Sequence, residues 1–362
     1  MRLPSARIAV PLMRRRGRVQ AATARNQHAA GALLTSLSIA LMITACNPFS
    51  SAGGSSDEPL VKVGVVPGID NATLYLAKKD GFFARAGINV RIVNFSTVQK
   101  ELQALTSGSV NVAAGDYGDL FAEQSCSSIT ARACSNLQRN AYKIIADGYD
   151  AAAGVVQIMT MPSSSVTSAG DLSGRIIGAP KANVVQTPLQ GAPNSLLIAS
   201  ATSVLQSDGV NISGVTWRTM TQQQEITELV HGQIGAALLT QPYVYEAEQS
   251  GAYELVDACS GATAGIPLAG YFTSTSWSAD KAWEVRAFRA GLAKADAAAS
   301  MPGPVQAVLP GYAKLTRQEA ALVTTGVYPL STVTASIQRT ADLMTSVGMI
   351  RKQLNVASMI AR

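Results

Sequence analysis

The sequence predicts an α/β protein of two lobes, each a mostly parallel sheet flanked by helices, and three observations lead there. From Val61 to Tyr117 the pattern alternates strand, helix, strand, helix, strand, with polar or glycine-bearing punctuation at every strand end. The same construction returns later in the chain: Leu229-Val230-His231-Gly232-Gln233-Ile234-Gly235-Ala236-Ala237 parallels Leu105-Thr106-Ser107-Gly108-Ser109-Val110-Asn111-Val112-Ala113, a helix end, a glycine and a strand. A chain of 362 residues with 47% hydrophobic residues has material for two cores of ordinary domain size.

The elements follow in order. Val61 to Val66 is a short β-branched run stopped by Pro67-Gly68, which suits a buried parallel strand. Thr73 to Lys79 is a helix and Asn89 to Val93 a strand. Val98, Leu102 and Leu105 then share one helical face that Gly108 closes, and Val110 to Ala114 is the third strand. Tyr142 to Ala146 is a fourth strand; Gly154 to Met161 is a fifth, expected to lead out of the first lobe through the Ser/Thr run after Pro162. In the second lobe Ile176 to Pro180 is a strand, Ser195 to Gln206 a helix with Gly209 past its end, and Val215 to Arg218 a strand. Thr221 and Gln224 have the spacing of a capping box. Glu254 to Asp257 and Gly270 to Thr273 lead back to the first lobe. Helices are expected near Asp280 to Ala297, Thr316 to Thr324 and Ser331 to Val347.

In parallel sheets ligands sit outside the carboxyl ends of the strands, where helix N-termini present free N–H groups. The loops there supply the candidate contacts: Asp70 and Asn71, Ser96 and Thr97, and Gly115, Asp116 and Tyr117 in the first lobe; Gln186, Thr187, Gln241 and Tyr243 in the second. Tyr117 and Tyr243 follow equivalent strands, so either they clamp a ligand from two sides or each packs on its own lobe. Asp70 and Asp116 either cap their helices or favour an amine, an aminopyrimidine or a zwitterion such as taurine over a sulfonate or nitrate, which would need positive charge from Arg175, Lys181 or Arg218.

Several function classes fall away. The formal charge of +6 rests on seven arginines before Cys46, where no acidic residue stands; removing those seven from the 29 basic residues leaves 22 against 23 acidic ones. The mature chain therefore carries no basic footprint for nucleic acid. Only His28 and His231 occur, which excludes a zinc site built from several histidines; His231 reads as a helix C-cap. No P-loop, G-x-S-x-G or H-E-x-x-H motif is present. Ser278-Ala279-Asp280-Lys281 matches S-x-x-K, but without K-T-G, and Ser278 reads as an N-cap. Neither a cofactor nor a catalytic residue is expected.

The N-terminus reads as an export signal over residues 1–45: arginines, then an apolar run from Ala29 to Ala45 that is short for a membrane span. It closes Ile43-Thr44-Ala45-Cys46, which resembles a bacterial lipobox with Cys46 as the lipidated mature N-terminus. An uncleaved anchor is the other reading of the same segment. Residues 46–58 form a Gly/Ser tether. Translation from Met1 or from Met13, and export by the general or, through Arg14-Arg15, the twin-arginine route, both stay open. Cys126 and Cys134 enclose a short polar loop and are the expected disulfide, with Cys259 free and buried; a pairing of Cys259 with either is the alternative.

Four segments carry a family resemblance: V-K-V-G-V-V-P-G at 61 to 68, L-Y-L-A-K-K-D-G-F-F at 74 to 83, A-G-I-N-V at 86 to 90 and Q-A-L-T-S-G-S-V-N-V-A-A-G-D at 103 to 116. Asp171-Leu172-Ser173-Gly174-Arg175, with arginine for the usual lysine, and Y-P-L at 328 to 330 add to them. The chain resembles the solute-binding proteins of ABC importers for nitrate, sulfonates, taurine and thiamine-pyrimidine precursors. The resemblance implies a type II periplasmic-binding-protein-like fold with a two-crossing hinge, lobe 1 from 59–160 and 265–362 and lobe 2 from 161–264. It also implies a monomer, tethered through the lipid on Cys46 outside the cell membrane, that closes on a small solute and passes it to a permease and its ATPase. The cysteine-rich motif and histidine of the enzymatic fungal branch are not found. Two other readings are a ligand-sensing lipoprotein without transport and a serine hydrolase through Ser278 and Lys281.

Overall fold

The computed structural model describes residues 58–125, 142–180, 195–350 and 352–362. Cys46, Cys126, Cys134, Lys181, Gln186 and Thr187 lie outside the described residues. Ser56–Arg362 is one compact unit. Its strands are β1 Leu60–Val65, β2 Asn89–Asn94, β3 Val112–Asp116, β4 Tyr142–Asp150, β5 Val156–Thr160, β6 Ile176–Pro180, β7 Thr216–Met220, β8 Ala236–Thr240, β9 Tyr253–Asp257 and β10 Pro267–Ser274. They form two five-stranded sheets ordered β2-β1-β3-β10-β4 and β7-β6-β8-β5-β9. In each sheet the first three strands pair in parallel, and the fourth in order, β10 or β5, runs antiparallel to both neighbours. The two-lobed, mostly parallel architecture expected from the sequence is thus the one observed.

One expectation needs correction. The strand predicted at Gly154 to Met161 was placed at the end of the first lobe, yet β5 pairs with β8 and β9 of the second sheet. Its all-buried run fits the middle of either sheet, so hydrophobicity alone does not assign it. The chain therefore crosses between β4 and β5 and returns between β9 and β10. The crossings are tied to each other, with Ala151 N donating to Ile266 O at 2.8 Å.

Helices cover the sheets: α1 Ala72–Lys79, α2 Phe82–Arg85, α3 Val98–Thr106 and α4 Tyr117–Ser125 in the first lobe, then α5 Leu196–Ser207, α6 Gln222–Val230 and α7 Tyr243–Gln249 in the second. The single helix expected from Asp280 is instead two, α8 Thr275–Asp280 and α9 Ala282–Ala298, parted at Lys281, whose φ of −120° and ψ of 37° are not helical. Ser274, not Ser278, caps α8 by accepting from Trp277 N; Ser278 lies inside the helix and donates to Thr275 O at 2.9 Å. α10 Pro302–Val308, α11 Arg317–Leu322 and α12 Thr334–Ser346 complete the fold. The capping box at Thr221 and Gln224 is formed, and His231 caps α6 through its ring nitrogen on Thr227 O at 2.7 Å. Cys259 is free and buried.

The internal echo goes deeper than the sequence revealed. α3 and α6 each start from a capping threonine, Thr97 or Thr221, and four residues on each carries a buried glutamate, Glu101 or Glu225. Each glutamate lies against a glycine in the strand beneath: a Cβ on Gly64 would stand 3.1 Å from Glu101 Cγ, and one on Gly178 would stand 3.1 Å from Glu225 Cγ. Glu101 accepts from Ala114 N at 2.9 Å, while neither oxygen of Glu225 has a hydrogen-bond partner.

Burial pushes these carboxyls up from 4.5, to about 8 for Glu101 and about 9 for Glu225. The folded state keeps both protons where the unfolded chain has lost them. The resulting stability is complete below pH 4.5 and is lost as the pH rises through about 8 to 9. Melting temperature is therefore expected to fall between pH 6 and 9. Glu225→Gln should flatten that fall and stabilise the protein at pH 9 by roughly 2 kcal/mol. An unchanged pH profile of melting in the variant would rule the linkage out.

Candidate functional site

The carboxyl ends of β1, β3 and β8 meet at a cleft between the lobes with a cavity of about 350 Å³. From the first lobe come Val66 to Asp70 and Ala114 to Asp116; from the second, Leu197, Gln222 and Thr240 to Tyr243; from the strands at the crossings, Tyr149, Val155, Val156, Leu268 and Ala269. Of the predicted contacts, Asp70, Gly115, Asp116, Gln241 and Tyr243 are brought together here. Val66, Pro67, Pro242, Tyr243 and Ala313 also line a wider outer cavity of about 970 Å³, which adds Phe95, Ser96, Tyr245, Tyr312 and Lys314.

Asp70 sits in a short helical turn after β1, and its carboxyl folds back on Gly68 so closely that a Cβ there would lie 2.3 Å from Oδ1. A side chain at 68 would displace the Asp70 carboxyl from this position. The turn is held from far along the chain: Tyr312 donates to Gly68 O at 3.1 Å and Tyr328 to Ile69 O at 2.7 Å. Tyr312 also stacks on Tyr75, with ring centroids 3.6 Å apart. Burial raises the Asp70 carboxyl to about 6, against hydrogen bonds to Asn71 that lower it. Asp116, at the end of β3, accepts from Gly118 N and is likewise raised by burial, with the charge of Asp70 adding to it. The Gln241 amide donates to Gly154 O at 3.1 Å, and its buried Oε1 has no partner. Gln222, which the sequence reading missed, closes the second-lobe wall: Thr240 N donates to its Oε1 at 2.7 Å, and its Nε2 donates to Thr240 Oγ1 at 2.9 Å.

Other predicted contacts have other roles. Tyr117 is fully buried, packed between Phe121 and Phe272, and its hydroxyl donates to Asp147 at 3.0 Å. It belongs to the core of its own lobe, so the two-tyrosine clamp does not form; an aromatic at a helix start serves either role in sequence. Asn71 is 2% exposed and lies behind Asp70. Thr97 caps α3 by accepting from Lys100 N at 3.3 Å and lines neither cavity. Ser96 stands only at the outer mouth, where it meets Lys100 Nζ at 3.3 Å. Arg218 pairs with Glu228, and Arg175 lines a separate cavity beside Ser163 to Val166. Among the described lining residues of the inner cleft, the charged ones are Asp70 and Asp116. Among the described residues no cluster of His, Cys, Asp and Glu suits a metal ion, and no helix is long and apolar enough to cross a membrane.

The family described as NMT1/THI5 like matches residues 69–307. No curated protein sequence matches the chain. Among solved structures the chain is similar to the periplasmic aliphatic sulphonate-binding protein of Escherichia coli, with 17% identity over 84% of this chain and 97% of that one and a TM-score of 0.61. The periplasmic nitrate-binding protein of Synechocystis gives 11% identity over 83% and 85%, with a TM-score of 0.61. The desulfurization enzyme DSZB gives 14% identity over 83% and 96%, with a TM-score of 0.62. At these identities the likeness is one of fold: two lobes around a cleft.

Two substitutions separate the tyrosines. Tyr117→Phe removes one buried hydrogen bond and should cost about 1 kcal/mol of stability, leaving ligand affinity unchanged. Tyr243→Ala opens the cleft wall and should weaken binding about tenfold or more with little effect on melting. Affinity lost in the first variant and kept in the second would reverse the two assignments.

Proposed function

The chain belongs to the NMT1/THI5-like family, and from that premise we propose that it is the solute-binding component of an ABC importer. It holds a small donor-rich molecule between its lobes and presents it to a permease. The observation that carries this reading is the lining of the cleft: Asp70, Asp116 and Gln241, whose buried Oε1 has no partner, stand on it, and no lysine or arginine is among the described lining residues. Such a lining asks for an amine, an aminopyrimidine or the ammonium end of a zwitterion, whose N–H groups answer the buried acceptors. Nitrate or a simple sulfonate would bring further acceptors to a site that already has a surplus. Because the ligand touches both lobes, it binds the closed arrangement better than the open one and shifts the population accordingly.

The function is binding rather than catalysis. Ser278 is engaged with the Thr275 carbonyl, and Lys281 pairs with Glu284 at 3.3 Å, so the S-x-x-K residues are committed to local structure. We further infer that the protein is exported and held at the outer face of the membrane by a lipid on Cys46. Cys46→Ser should then release it from the membrane fraction; retention of that variant would remove the anchor.

The deciding experiment is a thermal-shift screen of the purified protein against aminopyrimidine thiamine precursors, taurine, small amines, alkanesulfonates and nitrate. A ligand at 100 times its Kd should add about 2.7 kcal/mol. Stabilisation by an amine-bearing compound, lost in Asp70→Asn and Asp116→Asn, is expected. A response to nitrate or an alkanesulfonate alone would overturn the donor-rich assignment.

A further inference from the structure

A second cavity of about 340 Å³ lies in the first lobe and shares no lining residue with the cleft. Its polar lining includes Asp147 of β4 and Asp296 and Arg289 of α9, and its apolar walls include Leu292, Pro329 and Leu330. The two carboxyls are only 4% and 3% exposed. Asp296 Oδ1 has no hydrogen-bond partner, and Thr73 of α1, outside the cavity lining, stands near the same carboxyl. Asp147 uses Oδ1 to accept from Tyr117 at 3.0 Å and from Gly148 N at 3.1 Å, while its Oδ2 takes no hydrogen bond among the described residues.

Arg289 does not satisfy them. Its Nε donates to Ile145 O and its Nη2 to Ala361 O at 2.7 Å, which fixes the guanidinium against backbone carbonyls. No ion pair to either carboxyl forms among the described residues. A buried acceptor without a partner costs free energy unless a bound group supplies the donor. Burial pushes both carboxyls up, Asp147 to about 8 and Asp296 to about 7, and a cation held between them would draw off their protons and leave two carboxylates beside one guanidinium. The walls opposite are hydrocarbon, and Leu330 at the rim is 64% exposed.

We propose that this cavity is a second ligand site that takes a small primary ammonium carrying a short hydrocarbon chain, with Asp147 and Asp296 on its N–H groups and the chain against Leu292, Pro329 and Leu330. The site is independent of the cleft and of the solute carried there.

The test is titration of the purified, nitrogen-15-labelled protein with n-butylammonium, with n-butanol and butyrate as neutral and anionic controls, followed by amide chemical shifts. Saturable shifts from n-butylammonium are expected at Ala146 to Gly148, Ala293 to Asp296 and Ser331 to Thr332, with no response there to the controls. Asp296→Asn should raise the Kd about tenfold by removing the charge from one hydrogen bond. Ala293→Phe, at a half-buried position on the lining, should block binding with both carboxyls intact. No saturable shift at these amides, shifts confined to Gly68 to Asn71 and Gly115 to Asp116, or an equal response to n-butanol would each overturn the proposal.

Discussion

The cleft depends on two hydrogen bonds that reach across most of the chain. Tyr312 and Tyr328 donate to the carbonyls of Gly68 and Ile69, 244 and 259 positions earlier, and so hold the turn that places Asp70 on the cleft wall. Without them that turn would be an ordinary exposed loop, free to place its carboxyl in water. Because both tyrosines come from the segment after the second crossing, the first lobe's wall of the cleft is not finished until the chain has built the second lobe and returned. The stack of Tyr312 on Tyr75 ties the same device to the face of α1.

The second constraint is repetition. Both lobes use a threonine cap, a buried glutamate four residues on and a glycine beneath it in the neighbouring strand, so helix and sheet approach closely enough that a Cβ there would crowd the glutamate. The shared geometry brings β3 and β8 to equivalent ends, and those ends face each other across the cleft. Equivalence stops at the side chains. At the end of β3 the chain offers Asp116 and then a core tyrosine; after β8 it offers Gln241 and a tyrosine that lines the cavity.

Most of this architecture was legible in the sequence because it is written in short-range signals: β-branched runs ending in glycine or proline, periodic helices, and caps at fixed offsets. The loops carrying Asp70, Asp116, Gln241 and Tyr243 were found from the rule that ligands sit at carboxyl ends of parallel strands. What failed was information that is not local. Nothing in the run from Val156 to Thr160 says which sheet it joins, since it is buried in both cases. Nothing in Gly-Asp-Tyr says that the tyrosine turns inward to Asp147, whose carboxyl arrives on another strand. Gln222 lies between the two residues of the Thr221–Gln224 capping box, and nothing in that signal says that its side chain closes the cleft wall.

The sign of the charge in the cleft follows from the same long-range device. Asp70 and Asp116 are both pushed up by burial, and the charge of one raises the other, so an empty closed cleft would hold two acids against their preference for water. An open cleft lets water solvate them; a closed one needs donors in water's place. On the proposed reading a donor-rich ligand supplies those donors, and closure and selectivity then have one physical origin. A molecule of the same size without N–H or O–H donors would leave the acids unanswered and hold the lobes apart. Proteins of the same fold bind a sulphonate or nitrate, and the proposed reading differs from them because the fold sets only where the strand ends meet, while the residues at those ends decide what is held there.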